Sequence, residues 1–415
     1  MNQIDVYEHG RLIIDEKVFT TAHWKAFVKL NTIQDGAYFD VLHNGIKFKQ
    51  YVGVLQVNGL LVHIHPKADK DDEDSKWKGV LLQMLKTCGK IKADTLGNAQ
   101  LKKQNINLLE VYFDYFLQEM EELLRGGLVK KYRKETGNVK SLKGKLEFAD
   151  NIQKNLIHKE LFFTTHQIYD TNHKLHQVLT YALDIVSQFT RATNLNDKCR
   201  RVQMSFPEVT FISPTAKMIQ SIKIDRKTAP YERAFELAKF IILNYSPDIH
   251  SGQQKMIALL FNMNELWEEY VLKMLKKYTH KNPKENWSVS GQESKRFYGS
   301  YRTIRPDIVL RKGEETYIID TKWKRPNKKS ASIEDLRQMY AYGRFWDSEK
   351  LILLYPGYHY DSNYQNYPNE YDKNRDHQCK IGMVSVLKHM SLDLTIGEKV
   401  ISMLNTKYEL VGLEP

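Results

Sequence analysis

Arg305-Pro306-Asp307-Ile308-Val309-Leu310, followed by Tyr317-Ile318-Ile319-Asp320-Thr321-Lys322, decides how this chain is read. Both pieces are short apolar runs rich in β-branched residues, and Lys312-Gly313-Glu314 between them is turn-forming. The pattern predicts a β-hairpin with strands at Thr303–Arg311 and Thr316–Lys322. Adjacent antiparallel strands can bring Asp307 and Asp320 together. Side chains alternate along a strand, so Asp320 and Lys322 share a face. Thr321 points away from that face, which leaves its backbone carbonyl to turn toward the same centre. A charged pair at the end of a buried strand costs solvation free energy unless it is paired or metal-bound.

Metal-assisted hydrolysis of a phosphodiester needs such parts: fixed acids, and a group that places or activates water beside the charged phosphate oxygens. Mg2+ favours carboxylates, carbonyl oxygens and water. Asp307, Asp320 and Thr321 are therefore candidate ligands, and Lys322 is a candidate catalytic residue. The Asp-x-Lys triplet alone says little, because it recurs at Asp15–Lys17, Asp74–Lys76 and Asp225–Lys227, with Glu293–Lys295 as a further acid-x-Lys. The copy at 320 differs in its context: an apolar strand leads into it and Pro306-Asp307 precedes it at short range. The competing reading is a structural Asp–Lys ion pair on a sheet.

Outward from the hairpin, a helix is expected over about Gln253–Tyr278. On its wheel Trp267 shares a face with Leu260, Val271, Met274 and Tyr278. Glu268 falls at the edge of that face, among Phe261, Leu272 and Leu275, while Glu265 and Glu269 point toward solvent. Glu268 is thus the candidate third acid, with a plain surface acid as the alternative. A second helix is expected at Ile333–Phe345. Gln338 and Tyr342 lie one turn apart on it and share a face, placed to touch a DNA backbone, to brace the site or simply to pack. A buried strand at Leu351–Tyr355 completes a compact α/β unit over residues 251–415.

Residues 1–105 read as β-rich. A three-stranded meander is expected from Tyr38–Leu42, Ile46–Val57 and Leu60–His65, turned at Asn44-Gly45 and Asn58-Gly59. His63 and His65 fall on one strand face with no third ligand evident, so an ordinary strand face is the reading. A charged loop at Lys67–Lys78 leads to a helix at Trp77–Thr87. Residues 106–250 read as mainly helical. Helices are expected at Ile106–Arg125, closed by Gly126-Gly127, and at Asn172–Ser187 and Tyr231–Asn244, with a linker at Asn244–Gly252. Between them Lys130, Lys131, Arg133, Lys134, Lys140, Lys143 and Lys145 form a basic stretch, either a solvated loop or a contact to DNA backbone or partner.

A chain of 415 residues suggests two or three domains, and 42% apolar content is enough to build cores rather than a disordered chain. Lys and Arg outnumber Asp and Glu by 62 to 50, a net charge of +12 that favours a polyanionic partner. Cys88, Cys199 and Cys379 are scattered, with no Cys-x-x-Cys pair. Neither a zinc site nor a disulfide frame is expected, and a reducing cytoplasm fits. No apolar run is long enough for a signal peptide or a membrane span. No GxxxxGK[ST] loop is present, so any nucleotide-driven motor is expected on another chain.

Taken together, these motifs resemble the PD-(D/E)xK nuclease superfamily and, more narrowly, the McrC family of nuclease subunits in 5-methylcytosine-directed McrBC restriction systems. The resemblance rests on Leu266-Trp267-Glu268, the two hairpin stretches with Trp323-Lys324, Asp335-Leu336-Arg337-Gln338-Met339-Tyr340-Ala341-Tyr342, and Leu351-Ile352-Leu353-Leu354-Tyr355-Pro356. Weaker matches are Gly53-Val54-Leu55-Gln56-Val57, His65-Pro66-Lys67 and Leu142-Lys143-Gly144-Lys145-Leu146. It implies a C-terminal nuclease domain with a central mixed β-sheet flanked by helices, preceded by a β-rich and then a helical region. It implies that Asp307 and Asp320 bind Mg2+, that Lys322 positions the attacking water, that Glu268 completes the acidic set, and that Gln338 belongs with the catalytic group. It further implies a double-stranded DNA endonuclease of a cytoplasmic anti-phage system. The N-terminal region would dock on the ring of an AAA+ GTPase that translocates DNA and recognises the modified base. Thr321 stands where the family often has a small apolar residue, and the length before residue 250 exceeds that of a minimal member. Two alternatives stay open: a RecB-like repair nuclease acting on DNA ends, and a docking or activator subunit whose nuclease fold is only structural.

Overall fold

A computed structural model of the chain describes residues 2–57, 59–67, 77, 79–91, 108–190, 195–246, 256–324, 330–368, 377–388 and 391–405. The chain forms two compact units, one made of Met1–Ile106 with Leu260–Pro415 and the other of Asn107–Leu259. Among the described residues, no helix is long and apolar enough to cross a membrane. The three cysteines are free and buried.

The first unit begins with β1 (Asn2–Tyr7), β2 (Arg11–Ile13), α1 (Thr21–Ile33), β3 (Phe39–Leu42), β4 (Gly45–Phe48), β5 (Tyr51–Val57), β6 (Leu60–His65) and α2 (Val80–Thr87). β1 runs parallel to β6, and β6 antiparallel to β5. β2, β4 and β3 make a separate small sheet. The single meander expected here is therefore wrong: the run Ile46–Val57 is two strands in two sheets. Its β pattern is continuous, and tertiary partners break it. Lys49 N donates to Tyr38 O at 3.0 Å and His9 N donates to Lys49 O at 3.3 Å, closing the small sheet, while Gln50 O accepts from Met263 N at 2.9 Å. His65 pairs with Asp5 at 2.7 Å, and the His63 and His65 rings lie 6.1 Å apart on one strand face, as expected. Asn58 and most of the Lys67–Lys78 loop lie outside the described residues.

The second unit contains α3 (Leu108–Gly126), β7 (Lys131–Val139), β8 (Lys145–Leu146), α4 (Phe148–Lys154), β9 (Phe162–Asp170), α5 (Lys174–Thr190), α6 (Asn196–Ser205), α7 (Ala216–Ser221), α8 (Glu232–Leu243) and β10 (Tyr245–Ser246). The basic stretch is not a loop for most of its length. β7 pairs antiparallel with β9 from Lys131↔Asp170 to Val139↔Phe162. Several of its charges are already matched: Arg133 meets Glu135 at 2.6 Å and Asp170 at 2.8 Å, Lys131 meets Asp225 at 3.6 Å, and Lys145 meets Glu147 at 3.1 Å. Lys130, Lys134, Lys140 and Lys143 are exposed. Residues 247–252 of the expected linker lie outside the described residues.

The chain leaves this unit along β11 (Met256–Asn262) and enters α9 (Met263–Lys281). A helix was expected from residue 253, so the segment Met256–Asn262 is a correction. Met-Ile-Ala-Leu-Leu-Phe-Asn is one apolar run, which periodicity alone cannot assign to helix or strand. Asn262 marks the true start, since its side chain accepts a hydrogen bond from Asn264 N as the N-cap.

Next come β12 (Trp287–Gly291), β13 (Lys295–Tyr298), β14 (Arg302–Ile304), β15 (Ile308–Lys312), β16 (Glu315–Thr321), α10 (Ile333–Trp346), β17 (Lys350–Pro356), β18 (Tyr360–Asp361), β19 (Gln365–Asn366), β20 (Gln378–Val384) and α11 (Ile396–Asn405). A mixed sheet runs β12-β15-β16-β17-β20-β18, with β19 also on β20. β16, β17 and β20 are parallel neighbours and β12, β15 and β16 antiparallel ones. On one face Val309, Ile318, Leu351, Leu353 and Tyr355 pack against Met339, Tyr342 and Trp346 of α10. The other face meets α11, where a Cβ on Gly382 would stand 3.1 Å from Met403 Sδ. The expected strand Thr303–Arg311 is interrupted at Arg305-Pro306-Asp307, where proline has no N–H for a ladder.

Just past β16, Trp323 clamps this sheet to the N-terminal strands of the same unit. Its Nε1 donates to Glu8 Oε1 at 2.7 Å, and Lys67 N donates to the same oxygen at 2.8 Å. The Trp323 ring lies 5.6 Å from Trp267 and 6.2 Å from Trp77. Burial pushes the Glu8 carboxyl up from 4.5 to about 7, despite the two donors. A folded-state pKa above the unfolded value means that the Glu8 contribution is complete below pH 4.5 and is lost as pH rises through 7. Glu8→Gln keeps the acceptor without the charge. Above pH 7 it should stabilise the fold by on the order of 3 kcal/mol and flatten the pH dependence of urea unfolding between 4.5 and 7. A variant less stable than wild type at pH 8.5 would contradict the buried-charge account.

Candidate active site

The site forms at the carboxyl end of β16. The last β15–β16 pair is Ile308↔Ile319, and the next step of that register sets Asp307 beside Asp320. Asp320 has the parity of Ile318, so it lies on the face covered by α10, together with Lys322. Thr321 has the parity of Ile319 and lies on the other face. It is not idle there: Thr321 N and Oγ1 both donate to Asp307 Oδ2, at 2.7 and 2.8 Å. The strand that carries one acid thus orients the other.

Lys322 Nζ pairs with Asp320 Oδ2 at 2.6 Å and lies 3.8 Å from Asp335 Oδ1. It also donates to Gln338 Oε1 at 3.1 Å. Gln338 Nε2 donates to Tyr342 OH at 2.7 Å, and Tyr342 OH donates to Arg305 O at 2.9 Å. This relay explains the one-turn spacing of Gln338 and Tyr342: both brace the lysine. Asp335 is fixed by Ser332, the N-cap of α10, and by Lys324 at 2.8 Å.

Glu268 sits on α9, as expected, although Leu260 and Phe261 of its supposed face belong to β11. Gln292 Nε2 donates to Glu268 Oε1 at 2.7 Å, and Gln292 N donates to Asp307 O at 2.9 Å. Glu265 is exposed, and Glu269 pairs with Lys90 at 2.9 Å.

The electrostatics follow from crowding acids into a dry corner. Burial, then the Asp307 charge, raise the Asp320 carboxyl well above the usual carboxylate range, against the pull of Lys322. Burial also raises Asp307, despite the two Thr321 donors. Glu268 is raised to about 7 by burial and by Asp307. Burial acts to lower the Lys322 ammonium, but Asp320, Asp335 and Asp307 outweigh it and the net shift is upward. Burial raises all three acids, and the Asp307 charge adds to the rise of Asp320 and of Glu268, a strain that a bound cation would relieve. Among the described residues no three His, Cys, Asp or Glu side chains form a ready metal cage. Asp307 and Asp320 are brought together, and Glu268 is near enough to feel Asp307 while held by Gln292. A pair of carboxylates with open positions suits Mg2+, which keeps several waters.

Sequence reasoning missed Gln292, Asp335 and the Glu8–Trp323 bond. Ser332-x-x-Asp335 at the start of a helix was a readable capping signal. Gln292 and Glu8 act across long sequence separations and left no local signal.

A family model described as "McrBC 5-methylcytosine restriction system component" matches residues 46–356. The Type IV methyl-directed restriction enzyme EcoKMcrBC of Escherichia coli (strain K12) is 20% identical over 225 residues, 52% of this chain and 64% of that protein. The chain therefore spans less than two thirds of that relative's length. Among solved structures, a chain in the refined half-complex from the tetradecameric assembly of Thermococcus gammatolerans McrB AAA+ hexamers with bound McrC is 20% identical. It has a TM-score of 0.62, with 97% of this chain and 99% of that one covered, a likeness of fold. With the family match running over most of its length, the chain belongs to the McrBC 5-methylcytosine restriction system components.

Proposed function

We propose that the chain is the Mg2+-dependent DNA endonuclease subunit of a McrBC-type restriction system, of the PD-(D/E)xK kind, cutting double-stranded DNA delivered by a separate AAA+ GTPase. The observation that carries this reading is the convergence of Asp307, Asp320 and Lys322 at the end of β16, each with an ionisation that depends on the others. Asp307 and Asp320, with the Thr321 carbonyl, would hold Mg2+, which when bound stabilises charge on the phosphate oxygens and lowers the pKa of bound water. Lys322 stays protonated at neutral pH, so it acts as a cation and hydrogen-bond donor toward the phosphate or the attacking water, not as a base. Gln338 and Tyr342 fix its position. Glu268, poised near 7, is suited to a role that needs its ionised form, as an outer ligand or as acceptor of the water proton.

The family membership and the McrB hexamers in the Thermococcus gammatolerans assembly support an AAA+ motor as partner. Docking was expected on the N-terminal region. A second candidate surface lies in the second unit, where α4 buries none of its residues and Phe148, Ile152, Leu156 and Ile157 are exposed. The docking-only alternative has no need of a mutually adjusted Asp–Asp–Lys set. An assay comparing free and covalently closed DNA ends separates the RecB-like alternative.

The direct test is Mg2+-dependent cleavage of long methylated and unmethylated DNA, with the NTPase encoded beside this chain. Lys322→Ala should reduce cutting by about 100-fold or more while leaving DNA and partner binding close to wild type. Cutting by the variant at the wild-type rate would sink the site assignment. Protonated Glu268 cannot serve either role, so cleavage should rise with pH from 6 to 8, approaching about tenfold per unit on the acid side. Glu268→Gln should be slow and show a shallower rise, the remainder coming from the raised Asp307 and Asp320 carboxyls. An unchanged pH profile in Glu268→Gln would remove Glu268 from the mechanism.

A further inference from the structure

β13 and β14 stand apart from the main sheet as a two-stranded ribbon, joined by Gly299, Ser300 and Tyr301. Every residue of β13 is exposed, as are Arg302 and Thr303 of β14. Lys295, Arg296, Arg302 and Arg305 occur in the segment 295–305 with no acid among them. Large aromatic rings alternate with these cations: Phe297 is 51% exposed, Tyr298 76% and Tyr301 82%. Exposing such rings forgoes apolar burial, and the Arg296 and Arg302 side chains are exposed beside them.

The base of this ribbon is held firmly while its tip is free. Lys295 Nζ donates to Phe345 O at 2.7 Å and lies 4.8 Å over the Trp346 ring. Phe297 packs on Phe345 with ring centroids 5.5 Å apart. Trp346 Nε1 in turn donates to Glu293 at 3.1 Å, and Glu293 grips Arg311 of β15 through two bonds of 2.7 Å. On the other side, β14 runs from Ile304 through Arg305 and Pro306 directly into Asp307. The Arg305 carbonyl is the last acceptor of the relay Lys322–Gln338–Tyr342. An exposed basic and aromatic tip is therefore anchored at both ends to the candidate catalytic centre.

We propose that the β13–β14 ribbon is a DNA-gripping finger. Arg296 and Arg302 hold backbone phosphates beside the scissile one, and the rings of Tyr298 and Tyr301 pack against the deoxyribose sugars. Positive charge without acids fits a polyanion, and solvent-facing rings interleaved with arginines fit a DNA backbone, whose phosphates and sugars are presented whatever the sequence. The ribbon thus supplies register rather than sequence choice: it sets which phosphate meets Lys322. This rests on the endonuclease reading only in that the ligand is DNA.

The test is fluorescence anisotropy of the full chain, without Mg2+, on a fluorescein-labelled 30-base-pair duplex across a salt series. Arg296→Ala/Arg302→Ala should weaken binding about tenfold or more and reduce the salt slope by about 2. Tyr298→Ala/Tyr301→Ala should weaken it a few-fold through lost packing on the sugars with the slope kept, and Tyr298→Phe/Tyr301→Phe should restore it. All these side chains are exposed, so melting curves should match wild type. Wild-type affinity and slope in both alanine pairs would overturn the finger, and so would a wild-type chain that does not bind the duplex. A chain that binds DNA through these residues yet never cuts it would sustain the finger and defeat the nuclease reading.

Discussion

Two carboxylates and an ammonium drawn together at the carboxyl end of β16, with Asp320 almost fully buried, are the constraint around which the first unit is organised. Asp320 is not easily kept ionised there alone. Its ion pair with Lys322 at 2.6 Å opposes the burial that raises its carboxyl. Without Lys322 the buried Asp320 carboxyl would take up a proton rather than remain an unpaired charge. The neighbouring elements answer this demand. Thr321 fixes Asp307, α10 supplies Gln338 and Asp335, and α9 brings Glu268 within reach of the Asp307 charge.

The mixed sheet makes that gathering possible. β16 is central, parallel to β17 and antiparallel to β15. Its carboxyl end therefore meets the start of β15, and one sheet edge collects residues from both. Trp323 then ties the same edge to the N-terminal strands through Glu8. The N-terminal and C-terminal segments share one unit, joined also by the hydrogen bond from Met263 N to Gln50 O and by the Lys90–Glu269 ion pair.

Local chemistry was legible in the sequence wherever the period was short. Asp320 and Lys322 are two apart on an apolar strand, so strand alternation alone put them on one face. Gln338 and Tyr342 are four apart on a helix, and their shared face proved to be a hydrogen-bonded relay. What failed was decided by distant partners. Met256–Asn262 is apolar throughout, and nothing in it separates strand from helix. Ile46–Val57 is broken by backbone bonds to His9 and Tyr38, which no local pattern encodes. Lys131–Val139 hid a strand under its charges, and pairing with β9 and with Asp170 made those charges compatible with one. The basic and aromatic run from Lys295 to Arg302 was visible but lay in the shadow of the motif that follows it.

The central claim is that the acids at the end of β16 form a divalent-metal site. Titration calorimetry of Mg2+ into the full chain at pH 8, set against Asp320→Asn, tests it without any need for activity. Saturable binding by wild type, with protons released because the raised carboxyls must ionise, and no binding by the variant, is the result expected. Equal Mg2+ binding by both proteins, or none by wild type, would contradict the account.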